Sequence, residues 1–315
     1  MASEPKIAIV GLRDIFGKTL KEILEKSKFP IKDVYLYEPG IKDYALIDSF
    51  RGEARVVTRP RKDELERRDL AFFTVRVEDE LFHAPGISVD LSGTREELPI
   101  YLEGLAERIR EKRFANPHPA AVGIATLLSS LLRRPSSASF IVFEPVSSSG
   151  EEAMDELFSQ AISVLNMEEV PQKKLGDILA FDLFPKRGRR GKGRFTAEEL
   201  KISRHIEKLL GIKSGTIIFR TGIFHRYSVL INLRFSDGAP SIKALEEALE
   251  DNPSVLLEKK PFSPAKIEDE EGFFIYAGEV RKEDGGNLWL WAVFDNLKKP
   301  AFNAISIGFR ALTHE

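Results

Sequence analysis

The sequence of 315 residues contains no cysteine. Disulfide bonds, thiolate metal ligands and a thiol nucleophile are therefore excluded. Histidine is also scarce, and none of the five residues stands in an HExxH pattern or beside an acidic cluster; they are His83, His118, His205, His225 and His314. We therefore expect no metal site.

Long apolar runs and a strong net charge are missing as well. No apolar stretch approaches the roughly 20 residues that a bilayer-spanning helix needs. The chain starts "MASEPKIAIVG", which leads directly into a strand, so we expect no signal peptide and a cytoplasmic location. A net charge of −2 gives no bulk attraction to nucleic acid or membrane. The length is sufficient for two domains.

Strand and helix patterns alternate in the first third of the chain. "KIAIV" at 6–10 is a short apolar run, typical of a buried parallel strand. Apolar residues then recur at helical spacing from Phe16 to Leu24, and strand-like runs return at 34–37, 70–75 and 87–91. This βαβ alternation predicts a Rossmann-type parallel sheet with helices on its faces.

The later part of the chain is dominated by long strand patterns. Four of them are "GTIIFRTG", "RYSVLINLRF", "FFIYAGEV" and "NLWLWAVF". Their alternation of apolar and polar residues predicts a mostly antiparallel sheet, with a helix at 242–250 on one side and a last helix at 301–312. The predicted fold class is therefore α/β, a Rossmann-type domain followed by an α+β domain.

The stretch "FANPHPAAVGIATLLSSLL" at 114–132 predicts a strand, a tight turn and a buried helix. Asn116 precedes Pro117 and is therefore held in an extended conformation. A helix N-terminus after such a turn is a common position for a nucleophile. Here the turn carries His118 and Pro119, and neither is a cysteine or serine.

Several segments, taken in order, resemble the aspartate-semialdehyde dehydrogenases. They are "IAIVG", "ANPHPAAV", "FEPVSSSGEEAM", "FTAEELKISRHIEKLLG", "FRTGIFHRYSVLI" and "NLWLWAVFDNLKKPAFNAISI". The resemblance implies a dinucleotide-binding domain at 1–118 joined by a C-terminal helix at 298–315, a catalytic and dimerisation domain at 119–297, and a homodimer. Members of that family reduce an acyl phosphate through a cysteine thioester, with hydride from NADPH.

Several catalytic positions implied by the resemblance carry other residues here. Pro119 falls on the family cysteine and offers neither a nucleophile nor a backbone N–H for an oxyanion. His118 falls on the asparagine before it. Tyr227 replaces the family histidine and, with a pKa near 10, is a poor general base at neutral pH. Glu144 replaces a glutamine. We therefore predict no catalytic residue.

Other substrate positions are kept. The resemblance assigns Arg220 to a substrate carboxylate, a role that suits its bidentate guanidinium. Glu198 and Lys201 match a substrate-contacting pair, and their i,i+3 spacing places them on one helical face. The full predicted substrate set is Arg220, Glu198, Lys201, Arg95, Asn116 and Glu144. A residual ion network is the other interpretation of the first three.

The glycine-rich loop of the family appears as "GLRDIFG" at 11–17, with Asp14 in its middle. An aspartate there is suited to cap the following helix, and it would repel a phosphate. Glu38 could bind a ribose 2′-hydroxyl but would repel a 2′-phosphate, which favours NAD over NADP if either binds. The predicted cofactor set is Gly11, Arg13, Asp14, Ile15, Phe16, Gly17, Glu38 and Asn296.

The run "PKRGRRGKGR" at 185–194 concentrates six cations among glycines. Such a loop could bind RNA phosphates or an acidic partner through counterion release, although no aromatic residue supports base stacking. A solvated loop is the other interpretation, and it is the one that we favour.

The main hypothesis is a cysteine-less paralogue without thioester chemistry. Its role would be to bind an anionic metabolite, a dinucleotide or another subunit, which could be a related active enzyme. The first alternative is an NAD(P)-dependent semialdehyde dehydrogenase of amino-acid biosynthesis that retains some activity. The second is binding of RNA or an acidic partner through residues 185–194.

Overall fold

The computed structural model describes residues 4–41, 46–131, 133–188, 191–267 and 271–313. The chain divides into two units. The first contains residues 1–117 and 300–315, and the second contains residues 118–299. Each unit is built around a sheet of seven described strands.

The first unit is an α/β unit. Its strands are β1 (Lys6–Val10), β2 (Asp33–Tyr37), β3 (Leu46–Phe50), β4 (Glu53–Thr58), β5 (Leu70–Phe73), β6 (Ile87–Asp90) and β7 (Arg113–Ala115). Its helices are α1 (Ile15–Lys26), α2 (Lys62–Leu65) and α3 (Asp79–Phe82). The strand order is β3-β4-β2-β1-β5-β6-β7, and the pairs are parallel except β3 with β4.

Strand β1 is the centre of this sheet, and Ile7 to Val10 are fully buried because helices cover both faces. The apolar face of α1 packs on it through Leu20 and Leu24. Strand order reverses at β1, with β2 on one side and β5 on the other. In open α/β sheets ligands bind at such a reversal, outside the carboxyl ends of the strands.

The second unit has a mixed sheet. Its strands are β8 (Ser137–Glu144), β9 (Leu183–Pro185), β10 (Lys213–Thr221), β11 (Tyr227–Arg234), β12 (Val255–Glu258), β13 (Ile275–Lys282) and β14 (Leu288–Phe294). Its helices are α4 (Pro119–Leu128), α5 (Glu151–Asn166), α6 (Ala197–Leu210) and α7 (Ile242–Glu250). Helix α8 (Lys298–Leu312) begins at the end of this unit, and its residues from Pro300 onward belong to the first unit. The order is β12-β13-β14-β11-β8-β10-β9, mostly antiparallel.

The two faces of the second sheet differ. Helix α6 packs on β10, and α7 packs on β12 and β13. On the other face the strand registers align Ile217, Ile141, Leu230 and Trp291 in one row across β10, β8, β11 and β14. These side chains are half-buried or exposed, so the row is an apolar strip on the less covered face.

The predicted fold class is confirmed, and most predicted elements lie within a few residues of their expected bounds. The helix predicted at 242–250 is α7. The last helix begins at Lys298 rather than Ala301, because Asp295 bonds the N–H groups of Leu297 and Lys298 and so starts the helix earlier.

Candidate functional site

The turn before α4 offers no free backbone N–H group at three successive positions. The N–H of His118 donates to Nδ1 of His205 at 2.9 Å. Pro119 is the first residue of α4, a position that suits its fixed φ, and it has no N–H. The N–H of Ala120 donates to Nδ1 of His118 at 3.2 Å. His118 therefore caps the helix with its own side chain.

The second ring nitrogen of His118 faces a carboxylate. Nε2 lies 3.0 Å from Oε1 of Glu198. Because Nδ1 accepts a bond from Ala120, we assign the ring proton to Nε2, which donates to Glu198. Glu198 is held in the first turn of α6 by the capping box that Thr196 forms with Glu199.

Lys186 joins this pair to a buried carboxylate. Its Nζ lies 2.5 Å from Oε2 of Glu198 and 2.7 Å from Oε1 of Glu144. Glu144 ends β8 and is only 3% exposed. The four side chains thus form one continuous network, which runs from Glu144 through Lys186 and Glu198 to His118.

The pKa shifts follow from burial and from this pairing. Burial opposes ionisation of Glu198, but the hydrogen bond from His118 and the bond and charge of Lys186 outweigh it and lower its pKa to about 2. Burial raises the pKa of Glu144, which Lys186 offsets only in part. Burial lowers the pKa of Lys186, yet the two carboxylates raise it above its usual value. Lys186 is therefore charged at neutral pH.

The interpretation of Lys186 as part of a solvated basic loop is wrong. Strand β9 pairs with β10, and β10 pairs with β8. Lys186, the residue after β9, therefore lies near the end of β8. Arg187 pairs with Asp177 at 3.0 Å. Arg189 and Arg190 lie outside the described residues.

Tyr227, which the resemblance assigned to the position of the family histidine, is the first residue of β11 and is buried. Its hydroxyl accepts a bond from Oγ of Ser148 at 3.3 Å. Burial raises its pKa well above 10, and the charges of Glu144 and Glu198 raise it further. A phenol that stays protonated at neutral pH cannot serve as a general base.

Arg220 and Lys201 lie on elements next to this network. Arg220 is on β10, where its register partner on β8 is Glu144. Its guanidinium donates to the carbonyl of Leu175 at 3.0 Å and lies 5.8 Å from the ring centre of Phe184. Lys201 follows Glu198 by three residues on α6 and is half-buried.

Asn296, a predicted cofactor residue, is buried in the second unit. Its Oδ1 accepts the N–H of Arg226 at 2.9 Å, and its Nδ2 donates to Oγ of Ser147 at 2.9 Å. Arg226 has a φ of 75°, a left-handed conformation that is costly without support. The amide of Asn296 therefore stabilises the backbone that leads into β11.

Two predicted substrate residues belong to the first unit. Arg95 pairs with Asp79 at 2.5 Å and stacks 4.2 Å above the ring of Phe82. The amide of Asn116 donates to the carbonyl of Pro300 at 3.1 Å and accepts a bond from Asn303 at 2.8 Å. Asn116 thus anchors the C-terminal helix within this unit.

The glycines of the 11–17 loop are required by packing. Gly11 has a φ of 100°, and a Cβ there would lie 2.5 Å from Oγ1 of Thr74. A Cβ on Gly17 would lie 2.2 Å from the carbonyl oxygen of Gly11. These two glycines are explained by the strand-to-helix turn and do not by themselves indicate a bound phosphate.

Two carboxylates occupy N–H donors of the same loop. Asp14 caps α1 and accepts the N–H of Phe16 at 2.9 Å, next to Ile15, the first helical residue. Oε2 of Glu38 accepts the N–H of Arg13 at 2.8 Å. Burial, and to a lesser extent Glu38, raise the pKa of Asp14. The N–H groups of Arg13 and Phe16, which could otherwise face a pyrophosphate, are therefore already bonded to the chain's own acidic groups.

A cavity of about 990 Å³ also lies at the carboxyl edge of the first sheet. Its charged lining is balanced, with basic Arg59, Lys62, Arg76 and Arg95 and acidic Glu78, Asp79, Glu80 and Glu97. None of residues 11–17 lines it.

Across the described ranges, no three His, Asp or Glu side chains converge as a metal site would need, and no helix could cross a membrane.

Sequence reasoning missed Lys186 and His205 as members of the site. His205 stands seven residues after Glu198, about two helical turns, so helical periodicity could have placed both on one face of α6. Lys186 had no comparable signal, because its position depends on strand pairing between distant segments.

Three comparisons place this geometry among known proteins. The family model described as "Semialdehyde dehydrogenase, dimerisation domain" matches residues 126–299. The aspartate-semialdehyde dehydrogenase of Rickettsia bellii is 27% identical over 336 residues, covering 98% of both chains. Aspartate semialdehyde dehydrogenase II from Vibrio cholerae, complexed with ASA, has a TM-score of 0.88 at 18% identity and 99% coverage of both chains. The Candida albicans structure with NADP has a TM-score of 0.69 at 11% identity, again with 99% coverage of both chains.

Proposed function

Because the chain belongs to the semialdehyde dehydrogenase family, as its motifs predicted, we propose that it is a non-catalytic, homodimeric member that binds a ligand or another subunit. The observation that carries this proposal is the turn at 118–120. It contains no thiol or hydroxyl nucleophile, and its three backbone positions have no N–H left to stabilise an oxyanion.

The surrounding side chains support the same conclusion. Thioester chemistry needs a nucleophile, a base that activates it and donors for the developing charge. Pro119 supplies no nucleophile, and the buried phenol of Tyr227 stays protonated. His118 is held at both ring nitrogens by Ala120 and Glu198. Placing a cysteine at position 119 would therefore supply the nucleophile but neither the base nor the donors for the developing charge.

We propose that dinucleotide binding is weak and that NAD is preferred over NADP. Asp14 and Glu38 hold the loop N–H groups that would otherwise face a pyrophosphate. Glu38 would also repel a 2′-phosphate. The Candida albicans enzyme, which has a similar fold, is solved with NADP. Weak dinucleotide binding in this chain would therefore come from the two carboxylates rather than from the fold.

The dimer is proposed to form through the second unit. The family model that matches this unit is a dimerisation domain. The apolar row of Ile217, Ile141, Leu230 and Trp291 supplies a surface suited to a second copy. A related active enzyme would present a similar surface, so a mixed dimer in the cytoplasm is the proposed form of subunit binding.

Binding of RNA or an acidic partner through 185–194 stays a second proposal of lower rank. Lys186 and Arg187 are engaged by carboxylates, so two of the six cations are already paired. A salt-dependent RNA retardation assay tests it, and the proposal fails if neutralising all six cations leaves retardation unchanged.

The proposed function is tested by turnover. We expect aspartate semialdehyde, phosphate and NADP or NAD to give no NAD(P)H above a reaction without protein. An active aspartate-semialdehyde dehydrogenase serves as the positive control for the same substrates. Turnover that co-purifies with the chain through two orthogonal columns would overturn the proposal and favour the enzyme that retains activity.

A further inference from the structure

A cavity of about 460 Å³ lies at the amino edge of the first sheet, opposite the edge that carries the 11–17 loop. Ile87, the first residue of β6, and Ala311 of α8 line it, and both are buried. The segment 108–112, which leads into β7, supplies the rest of the lining. A volume of this size lies within the range of small-molecule sites.

The lining of this cavity is basic. It holds three cations and one carboxylate, in a chain whose net charge is −2; they are Arg108, Arg110, Lys112 and Glu111. The carboxylate of Glu111 accepts bonds from the hydroxyl of Tyr101 and from the N–H of Arg110. The guanidinium groups of Arg108 and Arg110 form no hydrogen bond or ion pair with another described residue. The two arginines therefore leave an excess of positive charge in the cavity.

The backbone that carries these cations is anchored on both sides and in the middle. Ile109, between the two arginines, is 3% exposed and packs in the core of the unit. The carbonyl of Lys112 accepts the N–H of Ser88 on β6 at 2.9 Å. Just before the segment, Arg310 on α8 donates to the carbonyl of Ala106. The cations are thus carried by a backbone that is already fixed, which lowers the entropy cost of binding a ligand.

The lining indicates the chemical class of the ligand. The planar guanidinium of arginine binds phosphate through two parallel N–H groups. A bare phosphate ion fills only a small part of 460 Å³, so there is room for an organic body beside Ile87, Ile109 and Ala311. A phosphate monoester carries close to two negative charges at pH 7, because its second pKa is near 6. That charge matches the excess of two cations over the single carboxylate.

We propose that this cavity binds a small, soluble organic phosphate monoester, whose phosphate contacts Arg108, Arg110 and Lys112 and whose apolar body lies on Ile87 and Ile109. The site is at the other edge of the sheet from the 11–17 loop, so it is separate from a nucleotide site there. The inference goes beyond the proposed function and does not depend on it, because no residue of the turn at 118–120 takes part.

Methyl signals from the floor of the cavity test the proposal on the wild-type protein. The probe is phenyl phosphate, and the protein is labelled at its isoleucine δ1-methyl groups. The signals of Ile87 and Ile109 are assigned by their absence in Ile87→Val and Ile109→Val. We expect the bound ring to shift both signals and to leave that of Ile231, buried in the second unit, in place. Phenol, which lacks the phosphate, should shift neither at the same concentration.

Removal of the cations completes the test. Arg108→Gln combined with Arg110→Gln should bind phenyl phosphate at least tenfold more weakly in the same titration. Arg133→Gln combined with Arg134→Gln removes two exposed arginines of the second unit and should bind like the wild type.

Three results would overturn the proposal: both methyl signals stay unmoved by phenyl phosphate, phenol shifts them as much, or the variant without the two cavity arginines binds as tightly as the wild type. Turnover in the dehydrogenase assay would instead overturn the proposed function and leave the phosphate site standing.

Discussion

The backbone N–H of His118 donates to Nδ1 of His205 across 2.9 Å. This bond requires Nδ1 of His205 to be unprotonated. Burial is the main reason that the pKa of His205 is lowered to about 3, and the nearby charges of Lys201 and Lys208 contribute. The turn before α4 is thus held by a neutral histidine from α6.

This bond predicts a loss of stability in mild acid. The folded state resists protonation of His205 until pH 3, whereas the unfolded state takes up the proton near pH 6.5. The contribution is therefore complete above pH 6.5 and declines toward pH 3, by about 3 kcal/mol between pH 7 and 4. Denaturant unfolding across this range measures it.

His205→Asn is the variant for that experiment. The asparagine oxygen can accept the His118 N–H but does not titrate, so we expect a flatter pH profile than that of the wild type between pH 7 and pH 4. His83→Asn, which removes a histidine of the first unit, is the matched control for the substitution itself. An unchanged slope in His205→Asn would contradict the assignment.

Gly123 lies against the ring of Phe294, and a Cβ there would stand 2.3 Å from a ring carbon. Gly123→Ala should therefore destabilise the protein by about 1–3 kcal/mol, although alanine is about 1 kcal/mol better than glycine within a helix. Thermal and denaturant unfolding measure the change. Gly285→Ala, which meets nothing within 4 Å, should be close to neutral.

A double-mutant cycle identifies the cause of that loss. Phe294→Leu removes the ring atoms that the new methyl group would meet, so Gly123→Ala should cost less in that background. Equal costs in both backgrounds would mean that the ring is not the obstacle.

The parts of the molecule that the sequence predicted are those governed by local pattern. The apolar run of β1 and the periodicity of α7 specify their elements directly. Asp14 as a helix cap follows from residue type and position. The role of Lys186 could not be predicted in this way, because nothing in the sequence around it indicates that one lysine of a basic run is buried. Its pairing with Glu144 depends on which strand lies beside β10.

The carboxylates of the 11–17 loop predict how nucleotide binding can be improved. Asp14→Asn keeps a good helix cap without the charge, and Glu38→Gln removes the second charge. Two like charges about 4 Å apart cost about 4 kcal/mol at an effective dielectric of 20. We therefore expect the double variant to bind NAD at least tenfold more tightly in isothermal titration calorimetry.

The same titration includes NADP and a control. Without the Glu38 charge, the preference for NAD over NADP should shrink. Glu53→Gln on β4, with an exposed carboxylate, should bind like the wild type. If the double variant binds neither nucleotide more tightly, the two carboxylates are not what limits binding.

The apolar row on the second sheet predicts the effect of a charge on assembly. Ile217 is 45% exposed and lies in register with Ile141. In a dimer formed through this face, Ile217→Lys would bury an unpaired ammonium, which costs several kcal/mol. We expect light scattering after size exclusion to show a dimer for the wild type and a monomer for Ile217→Lys at micromolar concentration. Ile47→Lys, at a 78% exposed position on β3, should remain a dimer. If the wild type is a monomer, or if Ile217→Lys is still a dimer, this face is not the interface. The proposed mixed dimer with an active relative would then have no surface through which to form.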